Sequence, residues 1–160
     1  MLQRIQTVFL LLVVVLMLLM LLFPLWTYQA QDGSVTYVLT SFYLDVQEGA
    51  GVETSKVYSP YVFVAVLAIS AAIVGIIEIT RFKNRLLQMK LGALNSLFMA
   101  GAMGLGLYLA SNLMEEKQLQ YGWSYGMAVF FPAAAMICNV IANRFIRKDE
   151  RLVRSVDRIR

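Results

Sequence analysis

The chain has 160 residues, of which 59% are hydrophobic and only 15% charged, with a net charge of +4. A water-soluble domain uses about 45–50% apolar residues, and here the excess is gathered into blocks, which excludes an ordinary soluble domain and marks a polytopic membrane protein. There is no histidine and one cysteine, Cys138, so the commonest metal ligand and general base are missing and no internal disulfide can form.

The first block, Thr7 to Trp26, contains no charged residue. Residues 7–26 as a helix reach about 30 Å, one hydrocarbon thickness. The block follows Arg4 closely, as a signal peptide would. Its apolar run is too long for a signal h-region, however, and Tyr28 spoils a small-x-small cleavage site before Gln31. An uncleaved anchor is expected, ended or kinked late by Pro24.

Residues 27–59 form the one sizeable loop. Within Ser34 to Val46, Val35, Tyr37 and Leu39 alternate with Ser34, Thr36, Val38 and Thr40. Glu48 to Gly51, "EGAG", is a turn signal, and "VETSKVY" reads as a return strand. The prediction is an extracytoplasmic β-hairpin packed on the helices or on a partner, because a lone hairpin is marginal in water. Asp32, Asp45, Glu48 and Glu53 make this loop acidic, but their spacing matches no Ca²⁺ motif.

Three more spans follow, over residues 60–80, 91–113 and 123–145. Pro60 suits a helix start. Pro132 predicts a kink inside the fourth span, with its backbone groups satisfied by neighbouring helices. Residues 81–90 form an inner loop and residues 146–160 a tail.

Basic residues set the orientation. Arg4, Arg81, Lys83, Arg85 and Lys90, with seven more from Arg144 to Arg160, make twelve on one side; only Lys56 and Lys117 lie on the other. The positive-inside rule places both termini in the cytoplasm. Trp26, Tyr28, Tyr58, Tyr61, Tyr121, Trp123 and Tyr125 cluster at the opposite ends of the spans, as an outer aromatic belt does.

Inside the spans, Glu78 is the one acidic residue, and an intramembrane carboxyl is a functional hypothesis by default. Arg81 stands at i+3, where helical pairs form, so pairing or snorkelling at the interface is favoured over a proton or ion role. Gly92, Ser96, Ala100 and Gly104 repeat every fourth residue, as do Ala102, Gly106 and Ala110; such rows let helix backbones approach closely. They serve packing within the bundle, or one row is left for a partner subunit. Asn95, Asn112, Asn139 and Asn143 are the remaining polar points. They hydrogen-bond across helices or line a polar path, although no broken-helix pair supports transport.

In the tail, Phe145, Leu152, Val156 and Ile159 fall on one helical stripe, with Arg147, Arg151, Arg154 and Arg158 on another face. This predicts an amphipathic cytoplasmic helix lying on anionic headgroups or docked on a partner. Acids interrupt the basic face, so nucleic acid is not expected as a ligand.

Three stretches, "MLQRIQTVFLLL", "FKNRLLQMKLGALN" and "ANRFIRKDERLVRSVDRIR", together resemble an uncharacterised four-span membrane family of Bacteroidota, domain of unknown function 4293. The terminal "KDE-LVRS-DR-R" pattern is the most specific part. The resemblance implies an inner-membrane protein with four helices; it supplies no activity, cofactor or catalytic residue.

The expected fold is therefore an all-α integral membrane protein: a four-transmembrane-helix bundle, an extracytoplasmic β-hairpin loop and a C-terminal amphipathic cytoplasmic helix. No phosphate loop, metal cluster or nucleophile–base pair is present, so no enzyme and no cofactor are expected. The favoured role is a non-enzymatic membrane subunit or assembly factor of the bacterial inner membrane, bound to a membrane protein partner or to copies of itself. The alternative is a small transporter or channel using Glu78 and the asparagines.

Overall fold

A computed structural model describes residues 2–31, 34–48, 53–82, 84–119 and 121–157. Four helices dominate it: α1 (Leu2–Leu22), α2 (Val62–Thr80), α3 (Arg85–Glu116) and α4 (Phe130–Asp157). Each is long and apolar enough to cross a membrane. Each packs on its chain neighbours, and α1 and α4 close the ring. Val13, Met17, Ala68, Met99, Ala102 and Ala135 fill the centre. Leu11, Val15, Leu18, Ile69, Ile73 and Ile76 are exposed on the outside, a surface suited to lipid rather than water.

The all-α expectation is overturned. Five strands, β1 (Trp26–Gln29), β2 (Val35–Leu39), β3 (Leu44–Glu48), β4 (Glu53–Val57) and β5 (Trp123–Tyr125), form one antiparallel sheet in the order β4-β3-β2-β1-β5. The fold is mixed α and β. Of the expected hairpin only the β3–β4 pairing is kept, with Glu48 opposite Glu53; the expected first strand, Ser34 to Val46, is divided into β2 and β3, which pair with each other, and residues 49–52 lie outside the described residues. Three features around it were not legible. β1 falls in a stretch assigned to the first span's end and the loop, and β5 in one assigned to the fourth span. Strands this short and aromatic have no period that separates them from a helix end. The β2–β3 turn, Thr40 to Tyr43, contains no Gly, Pro, Asn or Asp. It closes instead through side-chain oxygen: Tyr43 N donates to Thr40 Oγ1 at 3.1 Å, and Thr40 Oγ1 donates to the Tyr43 carbonyl at 2.8 Å.

The sheet alternates in its centre, with Val38 on the polar face and Ser55 on the apolar face as exceptions. Trp26, Tyr28, Tyr37, Leu39, Leu44 and Val46 occupy one face in register; Thr27, Gln29, Thr36, Asp45, Gln47 and Lys56 occupy the other. The apolar face lies on the bundle, where Trp26, Leu39 and Leu44 join the same core as Met20, Val64 and Leu113. Ser41 fixes the junction. Wholly buried, it donates from Oγ to the Met20 carbonyl at 3.0 Å, and its own carbonyl accepts from Ala65 N at 3.0 Å. Met20 is in the last turn of α1 and Ala65 in the first turn of α2, so one turn residue satisfies two groups that a helix end leaves without partners. On the other side Gly126 N donates to the Leu25 carbonyl at 2.9 Å. A Cβ on Gly126 would collide with the Pro24 carbonyl. Gly122 has φ +85° and lies against the Gln29 carbonyl, a position that only glycine takes without strain.

The helices also differ from the expected spans. α1 ends at Leu22, before Pro24. α3 begins at Arg85, so Arg85 and Lys90 lie in a helix and not in the inner loop. Pro132 stands in the first turn of α4, where proline is tolerated, and not in an interior that it would kink. Among the described residues the tail forms no separate helix. α4 runs unbroken to Asp157 because nothing between Phe145 and Asp157 breaks a helix. At 1.5 Å per residue it is about 42 Å long, some 10 Å more than a hydrocarbon core.

Candidate functional site

The end of the bundle away from the sheet, where α2 ends and α3 begins, holds a seam of buried polar side chains. On α2, Ala71, Gly75 and Glu78 share the buried face. On α3, Gln88, Gly92, Asn95 and Met99 do the same. The two helices run antiparallel here, and Gln88 Nε2 donates to the Glu78 main-chain carbonyl at 3.2 Å. A Cβ on Gly75 would lie 2.8 Å from Val14 and 3.4 Å from Asn95 Nδ2, so its small size lets α1, α2 and α3 meet.

Glu78 is 0% exposed, and neither carboxylate oxygen has a hydrogen-bond partner among the described residues. Asn95, one turn nearer the sheet, is also 0% exposed, with both amide atoms unpartnered. The buried Gln6 of α1 has an unpartnered Nε2. The expected Glu78–Arg81 pair does not form. Glu78 continues the inward face of Ala71 and Gly75, whereas Arg81 caps the helix with φ −88° and ψ 27° and is exposed. A gap of about 510 Å³ between α1 and α2 at this end is lined by Gln6, Thr7, Leu11, Ile79, Thr80 and Gln88.

The α3–α4 contact is better satisfied. Asn139, fully buried, donates from Nδ2 to the Gly92 carbonyl at 2.7 Å and to Ser96 Oγ at 2.8 Å. Asn143 Nδ2 reaches Asn139 Oδ1 at 3.4 Å, while Asn143 Oδ1 is buried without a partner. A Cβ on Gly92 would strike the Asn143 side chain. The row Gly92, Ser96, Ala100, Gly104 therefore serves this contact only at its first two members. A four-residue repeat drifts by about 40° per step on a helix of 3.6 residues per turn. Ala100 and Gly104 have accordingly rotated to the exposed side, and a Cβ on Gly104 would meet nothing within 4 Å. Ala102, Gly106 and Ala110 face the core instead. Asn112 is exposed near the sheet and belongs to no cluster.

The tail stripe expected to dock is described only in part. Leu152 is 50% exposed, and Arg147 and Arg151 are exposed. The side chains of Arg154 and Val156, and the whole of Arg158 and Ile159, lie outside the described residues. What anchors this end of α4 is Ile146, fully buried, and an ion pair at 3.1 Å between Arg85 of α3 and Asp149. Phe145 also stacks on Phe9 of α1, with ring centroids 6.1 Å apart. Gln6, Gln88, Ser41 and the Arg85–Asp149 pair were missed from the sequence. The two glutamines had one signal, namely polar residues at the edge of otherwise apolar helices. Cys138 is a free, partly buried thiol. Among the described residues no three His, Cys, Asp or Glu side chains gather to hold a metal.

A family model described as Domain of unknown function (DUF4293) matches residues 2–159. No curated protein matches the chain.

Proposed function

The chain belongs to the family of domain of unknown function 4293, and on that premise we propose that it is an integral membrane subunit or assembly factor that works by contact, not by catalysis. In this reading it lies in the inner membrane of a bacterium with all four helices spanning. The basic ends of the helices and both termini face the cytoplasm, and the sheet stands on the opposite surface. Support comes from the charge asymmetry and from the apolar outside of the bundle.

The observation that carries the proposal is the mounting of the sheet. Ser41, Leu25 and Gly126 tie it to the ends of α1 and α2 and to the approach to α4. Its polar face, with Gln29, Gln47, Lys56 and Ser124 exposed, is turned away from the bundle. A small chain that orders a rigid polar platform beyond the lipid presents it to something. Membrane-protein neighbours, or further copies of this chain, are the occupants with access to it. Photo-crosslinkers placed at Gln29, Gln47 and Lys56 in intact cells test this. The expected result is a discrete protein adduct from at least one position. Adducts to lipid alone from all three would overturn it.

Glu78 favours a second reading, a path for a proton or small cation. An isolated carboxylate in a low-dielectric interior costs several kcal/mol unless something neutralises it, and such groups in membranes mark ion pathways. Liposome flux assays decide this. Flux that survives both Glu78→Gln and Asn95→Ala would exclude the path.

A further inference from the structure

We propose that the outward groove between α3 and α4, at the end remote from the sheet, is a binding site for one anionic phospholipid. Three adjoining cavities meet at Arg144. The first, about 490 Å³, lies between the helices and is walled by Met89, Ala93 and Ser96 of α3 and Val140, Asn143 and Arg147 of α4. The second, about 340 Å³, continues towards the sheet along Met136, Ile137, Val140 and Ile141. The third, about 640 Å³, continues the other way among Arg147, Lys148, Arg151 and Leu152.

The order of these walls is that of a lipid. Ile137 and Val140 are 63% and 51% exposed and apolar, which suits an acyl chain. About one helical turn beyond Val140, at 1.5 Å per residue, the lining becomes cationic. Among the described residues none of Arg144, Arg147, Lys148 and Arg151 forms an ion pair. Asp149, the nearest acid in sequence to Lys148, is held by Arg85 at 3.1 Å. The cationic lining is therefore left for an outside anion, and guanidinium groups match phosphate oxygens in geometry as well as charge. Asn143 Oδ1, buried and unpartnered on the same wall, accepts a hydrogen bond from a hydroxyl-bearing headgroup such as glycerol. Basic pockets between helices on the cytoplasmic side recognise lipid headgroups by these means. A topology signal needs only cations near a span end; it does not need them to continue an apolar groove.

The inference rests on the proposed membrane placement, yet its test is independent of which way the chain faces. Native mass spectrometry of the full chain, released from detergent, compares retention of phosphatidylglycerol and phosphatidylcholine. We expect preferential retention of phosphatidylglycerol, reduced roughly tenfold or more in the Arg144→Gln/Arg147→Gln double variant. The Arg81→Gln/Lys90→Gln variant, whose cations lie outside the groove, should retain it as the parent does. Val140→Trp fills the apolar wall and leaves every cation in place, and it should also lower retention. Equal loss in both arginine and control variants would overturn the site in favour of diffuse surface charge. Displacement of the lipid by millimolar inorganic phosphate would overturn the lipid as its ligand. Crosslinks from the sheet are unaffected by any of these outcomes, so the two proposals fail separately.

Discussion

The two ends of the bundle are built on opposite terms. At the sheet end the chain supplies partners for its own helix termini: Ser41 serves α1 and α2, and the backbone of Pro24 and Leu25 receives the approach to α4. Among the described residues, Trp26 Nε1 and Asp45 Oδ1 are the buried side-chain atoms left unpartnered there. At the other end, among the described residues, Gln6, Glu78, Asn95 and Asn143 keep buried polar atoms without partners, and Gln6 and Asn143 also line open cavities. An unmet buried polar group costs about 1–3 kcal/mol. Among the described residues the sheet end thus meets more of its buried polar groups than the far end does.

Four substitutions test that contrast. Gly126→Ala has the largest expected effect, because the new Cβ meets the Pro24 backbone carbonyl, which cannot swing aside as a side chain can. The expected loss is about 3 kcal/mol or more, read as detergent unfolding followed by tryptophan fluorescence; a parent-like transition would show that β5 is not fixed in place. Glu78→Met should act in the opposite direction. Replacing an unpaired buried carboxyl with an apolar side chain of similar size stabilises by about 1–3 kcal/mol. A destabilised Glu78→Met variant in the same unfolding experiment would mean that Glu78 already has a partner. Ser41→Ala removes the Oγ bond to Met20 and leaves that carbonyl buried, at a cost of about 1–2 kcal/mol. Increased hydrogen exchange should then appear at the β2–β3 turn, and unchanged exchange there would remove Ser41 from the junction. Asn139→Ala is the smallest, at about 0.6 kcal/mol and at most roughly 1.7, the range of hydrogen bonds between helices in membranes. A larger loss would make the α3–α4 contact as closed as the sheet end.

How much of this was legible follows from the period of each signal. The four helices announce themselves as long apolar blocks, and Gly92 as a small residue where helices meet. The alternation of Val35, Tyr37 and Leu39 marked a strand before any partner was known. β1 and β5 were hidden because three or four aromatic-rich residues beside a span read equally well as its continuation. The Thr40–Tyr43 turn was hidden because its closure depends on the Thr40 hydroxyl and on Ser41 reaching a helix end distant in the chain. Glu78 was misjudged for a different reason. A nearby opposite charge in sequence suggested a pair, but α2 ends between the two residues and turns Arg81 outward.

By itself, then, the sequence determined where the apolar blocks lie, how many there are and how the charges divide between their ends. Hydrophobic length and charge count are properties of local composition, and no distant contact can alter them. Only the tertiary structure decided that five short strands close into one sheet, that Glu78 and Asn95 face the core without partners, and that four cations of α4 continue an apolar groove. Each of these depends on which residues from separate helices or strands come within a few ångströms, and that geometry is set by packing the whole chain at once.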